Sequence, residues 1–139
     1  MAQQYLREDP RGGEQQPARI LVVDDEEQIL RLLSLVIEDA GYAVETRADG
    51  ASARDALGAQ RFDLVITDLA MPGLQGEAVL VSAKALESPL PVVIITARSS
   101  DWAEARLRRL GADEILLKPF RMEDLISVVG RLLGLQAEQ

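Results

Sequence analysis

The chain has 139 residues, and 15 Lys and Arg residues against 23 Asp and Glu residues give it a formal net charge of −8. With 47% hydrophobic and 27% charged residues, it has the composition of one globular domain with enough apolar material for a core, which excludes disorder over most of its length. Because the chain has no Cys and no His, disulfides, thiolate or imidazole metal sites, cysteine nucleophiles and the Ser-His-Asp triad are excluded, and any metal must be bound by oxygen.

Residues 1–17 begin the chain with a segment rich in Gln, Gly, Pro and charged residues. No apolar spacing repeats in this segment, which predicts a flexible N-terminal tail. It has no apolar core of the kind found in signal peptides, and the longest apolar run of the chain is about half of what a bilayer requires. We therefore expect a cytoplasmic protein without membrane insertion, in which residues 18–134 form the folded domain and residues 135–139 a short C-terminal tail.

Five short apolar runs predict five strands, and continuous runs of this kind are typical of strands buried on both faces. After each strand, apolar residues recur at intervals of three and four, which predicts a helix. The predicted elements are, in chain order, a strand over 19–23, a helix with apolar residues from Ile29 to Ala40 that ends at Gly41, a strand over 43–46, a helix over 49–59, a strand over 63–67, a helix over 76–87, a strand over 91–96, a helix capped by Ser99 or Ser100 that ends at Gly111, a strand over 114–117 and a helix over 121–133.

This alternation of strand and helix predicts the α/β class, with a parallel sheet covered by helices on both faces, because parallel neighbours need a crossover of helical length. In such sheets, ligands bind beyond the carboxyl ends of the strands. Four of the predicted strands end in polar groups, which are Asp24 and Asp25, Asp68, Thr96 and Lys118. Taken one at a time, each group also fits a simpler role, as a helix cap, a loop hydroxyl or a solvated cation.

Together, these carboxylates, hydroxyl and ammonium predict a metal site that receives a phosphoryl group. Carboxylates at the ends of buried strands repel one another unless a cation joins them. Mg²⁺ is the predicted ion, with Mn²⁺ as an alternative, because it takes a few carboxylates plus water and leaves positions open for a phosphoryl oxygen. Asp68 is the predicted nucleophile: its carboxylate attacks phosphorus without a general base, while the metal, Lys118 and Thr96 stabilise the transition state.

Over residues 18–133, the chain resembles the receiver domains of two-component response regulators. The motifs that carry the resemblance are the acidic pair Asp24-Asp25, residues 67–73 with the sequence Thr-Asp-Leu-Ala-Met-Pro-Gly, the pair Thr96-Ala97, and residues 111–113 (Gly-Ala-Asp) leading to Lys118-Pro119-Phe120. The resemblance implies a flavodoxin-like three-layer sandwich, as in the single-domain chemotaxis regulator, with five helices and a five-stranded parallel sheet of strand order 2-1-3-4-5.

The resemblance also implies a role for each matching residue. The implied roles are Asp68 as phosphoacceptor, Asp25 as a direct Mg²⁺ ligand, Asp24 as a ligand largely through water, Asp68 and the backbone carbonyl of Ala70 as the remaining ligands, Thr96 as the switch hydroxyl, and Lys118 as the ammonium that pairs with the phosphoryl group. The bond between Lys118 and Pro119 is expected to be cis. The phosphoryl donor implied is a histidine kinase or a histidine phosphotransfer protein, and the chain is a switch, not an enzyme, with Mg²⁺-dependent self-catalysed phosphorylation and dephosphorylation.

One position departs from the family pattern. Three residues before the lysine, the family usually carries Tyr or Phe, whose ring turns inward on activation, whereas this chain has Ile115. Since an isoleucine cannot report phosphorylation by ring rotation, we expect the signal to leave by backbone shifts over residues 97–101. Ala70 and Arg98 occupy positions that, by resemblance, tune the lifetime of the acyl phosphate.

The fourth predicted helix carries two candidate features for partner binding. Trp102 either packs over the helix end or anchors a docking partner. Arg106, Arg108 and Arg109 form a local basic cluster that is either solvated or a partner site. We expect the downstream partner to be a protein, because the net negative charge disfavours direct binding to nucleic acid.

Three other functions use similar parts. A phosphatase of the haloacid dehalogenase type carries its nucleophile on the first strand and its acidic pair late, the reverse of the order here. A flavin-binding protein of this topology needs a phosphate loop after the first strand, where residues 24–27 are all acidic. A receiver-like module that takes no phosphate is disfavoured by the joint presence of the groups at the strand ends.

Because residues 134–139 are too few to fold alone, we expect either a regulator that signals by contact or a receiver excised from a hybrid histidine kinase or larger regulator.

Overall fold

The computed structural model describes residues 6–8, 15–73, 75–97 and 100–134. Within these residues the chain forms seven strands and five helices. In chain order they are β1 (Leu6–Glu8), β2 (Gln15–Pro17), β3 (Arg19–Val23), α1 (Glu27–Asp39), β4 (Ala43–Arg47), α2 (Gly50–Ala59), β5 (Leu64–Asp68), α3 (Gln75–Lys84), β6 (Val92–Thr96), α4 (Asp101–Arg109), β7 (Glu114–Leu117) and α5 (Met122–Leu132).

The central sheet has five parallel strands in the order β4-β3-β5-β6-β7. Helices cover both faces, so the predicted α/β class, flavodoxin-like layers and parallel sheet are confirmed. The predicted strand order of 2-1-3-4-5 counted only the strands of this sheet. Two further strands precede the sheet in the chain, and the observed order therefore carries the numbers 4-3-5-6-7.

The sheet separates two apolar cores, because successive side chains of a strand point to opposite faces. In β3, Ile20 and Val22 pack in the core formed with α1 and α5, whereas Leu21 and Val23 pack in the core formed with α2, α3 and α4. Every residue of β5 and β6 is buried. A ligand can therefore be reached only from residues at or beyond the ends of these strands.

Side-chain caps begin two of the helices where the sequence indicated a start. Asp49 accepts a hydrogen bond from Ser52 N at 2.7 Å at the start of α2. Ser100 accepts a hydrogen bond from Ala103 N at 3.1 Å at the start of α4, so the cap of this helix is Ser100. These caps fix where the chain turns from each preceding strand end into a helix.

The end of α1 agrees with the sequence prediction, whereas the end of α3 does not. Gly41 has a φ of 105° directly after the last turn of α1, a conformation that favours glycine and ends the helix as predicted. The helix α3 ends at Lys84, earlier than the predicted end at residue 87. Leu86 still packs against the core from the following turn, so the apolar pattern continues beyond the last helical residue.

The segment predicted as an N-terminal tail contains a short antiparallel pair formed by β1 and β2. The sequence did not indicate this pair, since Gln, Pro and charged residues have low strand propensity. The flexibility of the two tails stays a prediction, and residues 1–5, 9–14 and 135–139 lie outside the described residues, as do Arg98 and Ser99. Among the described helices, none combines the length and the apolar character needed to cross a bilayer.

Side-chain contacts hold the edge of the sheet opposite the predicted site. Asp113 Oδ2 accepts hydrogen bonds from Lys84 Nζ at 2.6 Å and from Val92 N, the first residue of β6, at 2.8 Å. Arg19, the first residue of β3, donates from Nη2 to Gln60 Oε1 at 2.7 Å. These contacts fix the starts of β6 and β3, and with them the positions of the residues at the far ends of both strands.

Candidate functional site

Acidic side chains meet at the carboxyl ends of two neighbouring strands. Asp24 and Asp25 directly follow β3, and Asp68 is the last residue of β5, which pairs with β3 in parallel. One carboxylate oxygen from each residue lies within 4.8 Å of the others. Asp24 and Asp68 are only 1% and 4% exposed, whereas Asp25 is exposed. The structure thus brings together the carboxylates that the sequence singled out and leaves one of them open to solvent.

Within this cluster, the carboxyl of Asp24 has a raised pKa. Its pKa is raised from 3.8 to about 6, and the largest cause of this rise is burial. The backbone N–H of Glu26, which donates to Asp24 Oδ1 at 2.8 Å, opposes this rise in pKa. The negative charge of Asp68 raises the pKa further, and the positive charge of Lys118 lowers it. The cluster is therefore an arrangement of partly buried, mutually repelling carboxylates.

The donor set fits a hard divalent cation. Such an ion cancels the repulsion between carboxylates and replaces the hydration that Asp24 and Asp68 lose on burial. Mg²⁺ accepts one or two carboxylates and keeps several waters, which the exposed side of Asp25 allows. The predicted ligand on Ala70 is its backbone carbonyl, two residues beyond Asp68, and this assignment stays a prediction.

The two carboxylate oxygens of Asp68 have different surroundings. The Oδ1 atom accepts a hydrogen bond from the backbone N–H of Ala70 at 3.1 Å. The Oδ2 atom lies 3.5 Å from Nζ of Lys118, whose side chain is 32% exposed. A backbone contact thus orients the carboxylate, while its other oxygen faces a cation that solvent also reaches.

Thr96 and Lys118 lie at the ends of the next two strands of the same sheet edge, since Thr96 ends β6 and Lys118 directly follows β7. Thr96 is the last residue of β6, which lies between β5 and β7, and it is 5% exposed. The backbone N–H of Lys118 donates to the Thr96 carbonyl oxygen at 2.9 Å, so the two segments stay paired beyond β7. The Lys118–Pro119 peptide bond is cis, as the resemblance implied. All the groups predicted at strand ends therefore lie along one edge, and their chemical roles stay predictions.

Two residues at the start of α3 were not singled out from the sequence. A Cβ atom on Gly76 would lie 2.5 Å from the carbonyl oxygen of Asp68, so only glycine allows this close packing. Gln75 Oε1 accepts the backbone N–H of Gly50, the first residue of α2, at 2.6 Å. A glycine inside a helical apolar pattern often marks a close contact and could have indicated Gly76. No pattern in the sequence indicated Gln75.

The residues expected to carry the signal lie around α4. Ile115 is 9% exposed and packs in the core that α4 helps to cover. Trp102 is 71% exposed, so its ring does not pack over the helix end, and its role as a docking anchor stays a prediction. Arg106 donates to Glu77 of α3 at 2.9 and 3.2 Å, so the predicted basic cluster contains a residue that is already paired.

Comparison with known proteins gives both a family match and longer relatives. Residues 20–130 match the response regulator receiver domain family. The transcriptional regulatory protein PrrA of Mycobacterium tuberculosis is 36% identical over 115 residues, which are 83% of this chain and 49% of PrrA. The chain spans about half the length of the curated relatives it matches.

Solved structures show the same fold. The chemotaxis protein CheY4 of Vibrio cholerae has a TM-score of 0.78 and 32% identity, covering 83% of this chain and 98% of that chain. The receiver domain of the sensor histidine kinase PA1611 of Pseudomonas aeruginosa has a TM-score of 0.75 and 26% identity, covering 84% of this chain and 98% of that chain. The PA1611 structure contains a magnesium ion coordinated in its active-site cleft.

Proposed function

Because the chain belongs to the response regulator receiver domain family, we propose that Asp68 accepts a phosphoryl group and that the chain works as a phosphorylation-dependent switch. The donor is the phosphohistidine of a histidine kinase or of a histidine phosphotransfer protein. One observation carries this proposal: oxygens of Asp24, Asp25 and Asp68 lie within 4.8 Å of one another beside the Lys118 ammonium.

The transfer forms one bond and breaks one. An oxygen of the Asp68 carboxylate attacks the phosphorus atom, and the bond from phosphorus to the donor's imidazole nitrogen breaks with its electron pair on nitrogen. The product is an acyl phosphate on Asp68. Since an ionised carboxylate carries no proton, the step requires no general base, in agreement with a chain that has no His.

Neighbouring groups orient the carboxylate and neutralise charge. The Ala70 N–H, 3.1 Å from Asp68 Oδ1, sets the direction of the carboxylate. The Lys118 ammonium, 3.5 Å from Oδ2, pairs with one phosphoryl oxygen, and the Thr96 hydroxyl donates to another. Position and charge are the main sources of catalysis here, because the transition state spreads charge over the equatorial phosphoryl oxygens.

We assign Mg²⁺ to Asp25, Asp68 and the backbone carbonyl of Ala70 as direct ligands and to Asp24 as a ligand largely through water, with Mn²⁺ as the alternative ion. When bound, the ion supplies charge neutralisation and orients the incoming phosphoryl oxygen. The magnesium ion in the PA1611 receiver domain, which is 26% identical, supports this assignment. The same residues promote the gain and the later hydrolysis of the acyl phosphate, so the chain is a switch that acts on itself and not on a separate substrate.

The setting we propose is the cytoplasm, with a protein as the downstream partner. PrrA is named as a transcriptional regulatory protein, and the matched segment is 49% of its length. A receiver joined to a further domain is therefore one form of the whole protein. A receiver excised from a hybrid histidine kinase is a second form, and the receiver domain of PA1611 comes from a sensor histidine kinase. A free-standing receiver that signals by contact is a third, and this chain covers 98% of the chemotaxis protein CheY4.

Small-molecule phosphorylation tests the proposal directly. We expect incubation with acetyl phosphate or phosphoramidate and Mg²⁺ to add one phosphoryl group by intact mass, and Asp68→Asn to abolish this addition. Asp55→Asn is the matched control, because Asp55 is an exposed aspartate on α2. Labelling that persists in Asp68→Asn, or wild-type protein that stays unlabelled, contradicts the proposal.

A further inference from the structure

A chain of backbone and side-chain contacts runs from one acidic strand end towards α3. The N–H of Asp24 donates to the carbonyl oxygen of Arg47, the last residue of β4, at 3.2 Å. Residues 48–49 lead from there into α2. The first residue of α2, Gly50, donates its N–H to Oε1 of Gln75, the first residue of α3, at 2.6 Å. The Gln75 amide therefore joins the start of α2, which follows the strand bonded to Asp24, to the start of α3.

The start of α3 packs against the backbone of Asp68 and Leu69. A Cβ atom on Gly76 would lie 2.5 Å from the Asp68 carbonyl oxygen and 2.8 Å from Leu69 Cα. The backbone N–H of Leu69 donates to Ile95 O at 2.8 Å, which holds the loop after β5 against β6. Because the first turn of α3 packs directly on this loop, a displacement of that turn displaces the Ala70 N–H that orients Asp68.

Gln75 supplies a hydrogen bond that α2 cannot make for itself. The first N–H groups of a helix have no acceptor within the helix. The Asp49 side chain accepts from Ser52 N, which leaves the Gly50 N–H to an acceptor outside α2. Gly50 is buried and Gln75 is half-buried, so water replaces this acceptor poorly. Removing the Gln75 oxygen therefore loosens the contact between α2 and α3 beside the site.

We propose that Gln75 is a positioning residue of the magnesium and phosphoryl site: its side-chain amide ties the start of α2 to the start of α3 and so fixes the loop that orients Asp68. This inference rests on the proposed function of the same site. Gln75 touches neither the ion nor the phosphoryl group and acts through Gly76 and the loop after β5. Its loss therefore weakens Mg²⁺ binding and leaves the phosphoacceptor in place.

The test compares substitutions that keep or remove the acceptor oxygen. Gln75→Met keeps the length of the side chain without the oxygen, whereas Gln75→Glu keeps an oxygen at the same reach. Gln60→Met is the matched control, because Gln60 also accepts a hydrogen bond, from Arg19 Nη2 at 2.7 Å, but at the opposite edge of the sheet. For each folded protein, Mg²⁺ affinity is measured by amide chemical-shift titration, and phosphorylation by acetyl phosphate is followed at low and at saturating Mg²⁺.

We expect Gln75→Met to weaken Mg²⁺ binding by about three- to tenfold, the factor that a typical net hydrogen bond contributes. Its phosphorylation rate should fall by a similar factor at low Mg²⁺ and recover most of this loss at saturation. Gln60→Met should keep the affinity of the wild type, and Gln75→Glu should bind Mg²⁺ at least as tightly as the wild type, because its added negative charge attracts the cation. If Gln75→Met does not fold, Gln75→Asn, whose amide is one methylene too short, takes its place.

The possible failures are distinguishable. Wild-type affinity in Gln75→Met, or equal weakening in Gln60→Met, overturns the role of Gln75 and leaves the proposed function intact. If Gln75→Glu binds Mg²⁺ as weakly as Gln75→Met does, the role of Gln75 is also overturned, because the loss of the acceptor oxygen then does not explain the weaker binding. Wild-type protein that neither binds Mg²⁺ nor takes a phosphoryl group overturns the proposed function and this inference together.

Discussion

Lys118 Nζ lies 3.5 Å from Oδ2 of Asp68, although the strands that these residues follow or end are not neighbours in the sheet. The strand β6 lies between β5 and β7, so the lysine reaches across the end of β6, where Thr96 is located. A group attached to the Asp68 carboxylate therefore meets the ammonium directly. This geometry distinguishes Lys118 from a solvated surface lysine and supports the role in the transfer that we propose for it.

Lys118→Ala should keep the fold but slow phosphorylation by acetyl phosphate on the order of tenfold to a hundredfold, because the transition state loses a stabilising cation. Intact-mass kinetics measures this rate. The matched control is Lys84→Ala, which breaks the other described lysine–aspartate pair at the opposite sheet edge and should lower stability without changing the rate. Unchanged phosphorylation together with unchanged output in Lys118→Ala would contradict the assigned role.

The pKa of Asp24 predicts how pH affects the metal-free protein. The folded-state pKa is about 6, above the ordinary value of 3.8, so the folded protein holds this proton to a higher pH than the unfolded chain does. The resulting contribution to the free energy of unfolding is fully present below the unfolded pKa and is lost as the pH rises through the folded pKa, by about 2 to 3 kcal/mol. Asp24→Asn should abolish this part of the pH dependence, measured by denaturant unfolding.

Mg²⁺ binding should show the opposite trend with pH. In the proposed site the ion binds the deprotonated carboxylate of Asp24, so the Mg²⁺-induced rise in Tm should be large well above the folded pKa of about 6 and small below it. Thermal melts with and without Mg²⁺ at two such pH values measure this difference. An equal rise in Tm at both pH values would show that Asp24 takes no part in binding the ion.

Two glycines in helices should respond to alanine in opposite directions. Gly76→Ala places a methyl group 2.5 Å from the Asp68 carbonyl oxygen, which should lower the free energy of unfolding by about 1 to 3 kcal/mol and slow phosphorylation. Gly58 lies in α2, and beyond the neighbouring backbone of its own helix no atom lies within 4 Å of an added Cβ, so Gly58→Ala should raise stability by about 0.5 to 1 kcal/mol. Equal effects of the two substitutions in denaturant unfolding would argue against the close contact at Gly76.

The output should pass through the segment between β6 and α4. The only buried side chain of α4 is Leu107, and Arg106 ties this helix to Glu77 of α3, so α4 is lightly anchored. With Ile115 in place of an aromatic residue, we expect beryllofluoride and Mg²⁺ to shift the amide resonances of residues 97–101. Asp68→Asn is the control, in which beryllofluoride should not shift these amide resonances. Matching spectra of the wild type with and without beryllofluoride would contradict this route.

Much of the fold follows from local sequence patterns. The runs 19–23 and 91–96 consist mainly of Val, Ile and Leu, and runs of this kind are typical of parallel strands that are buried on both faces. Because parallel strands bring their carboxyl ends to one edge, the meeting of Asp24, Asp68 and Lys118 could be predicted from their places after strands. The end of α3 was predicted too late, since Leu86 keeps the apolar spacing outside the helix.

The parts that could not be predicted depend on contacts between distant residues. The hydrogen bond from Gly50 to Gln75 depends on how α2 and α3 pack, and the ion pair of Arg106 with Glu77 depends on how α4 and α3 pack. Neither contact follows a periodic pattern in the sequence. The raised pKa of Asp24 depends on its burial, which is set by the whole sheet edge. Such features become visible only when the packing of helices on the sheet is known.

Of the 15 basic residues, only Lys84 and Lys118 are lysines. Their ammonium groups face Asp113 and Asp68, at 2.6 and 3.5 Å, at opposite edges of the sheet. An amine-acylating reagent therefore distinguishes the two by location. We expect modification of Lys118 to fall when a phosphoryl group or its analogue occupies the site beside Asp68, while Lys84 serves as the internal reference in the same mass spectrum. Chemical footprinting can thus follow the state of the native chain without a substitution or an attached dye.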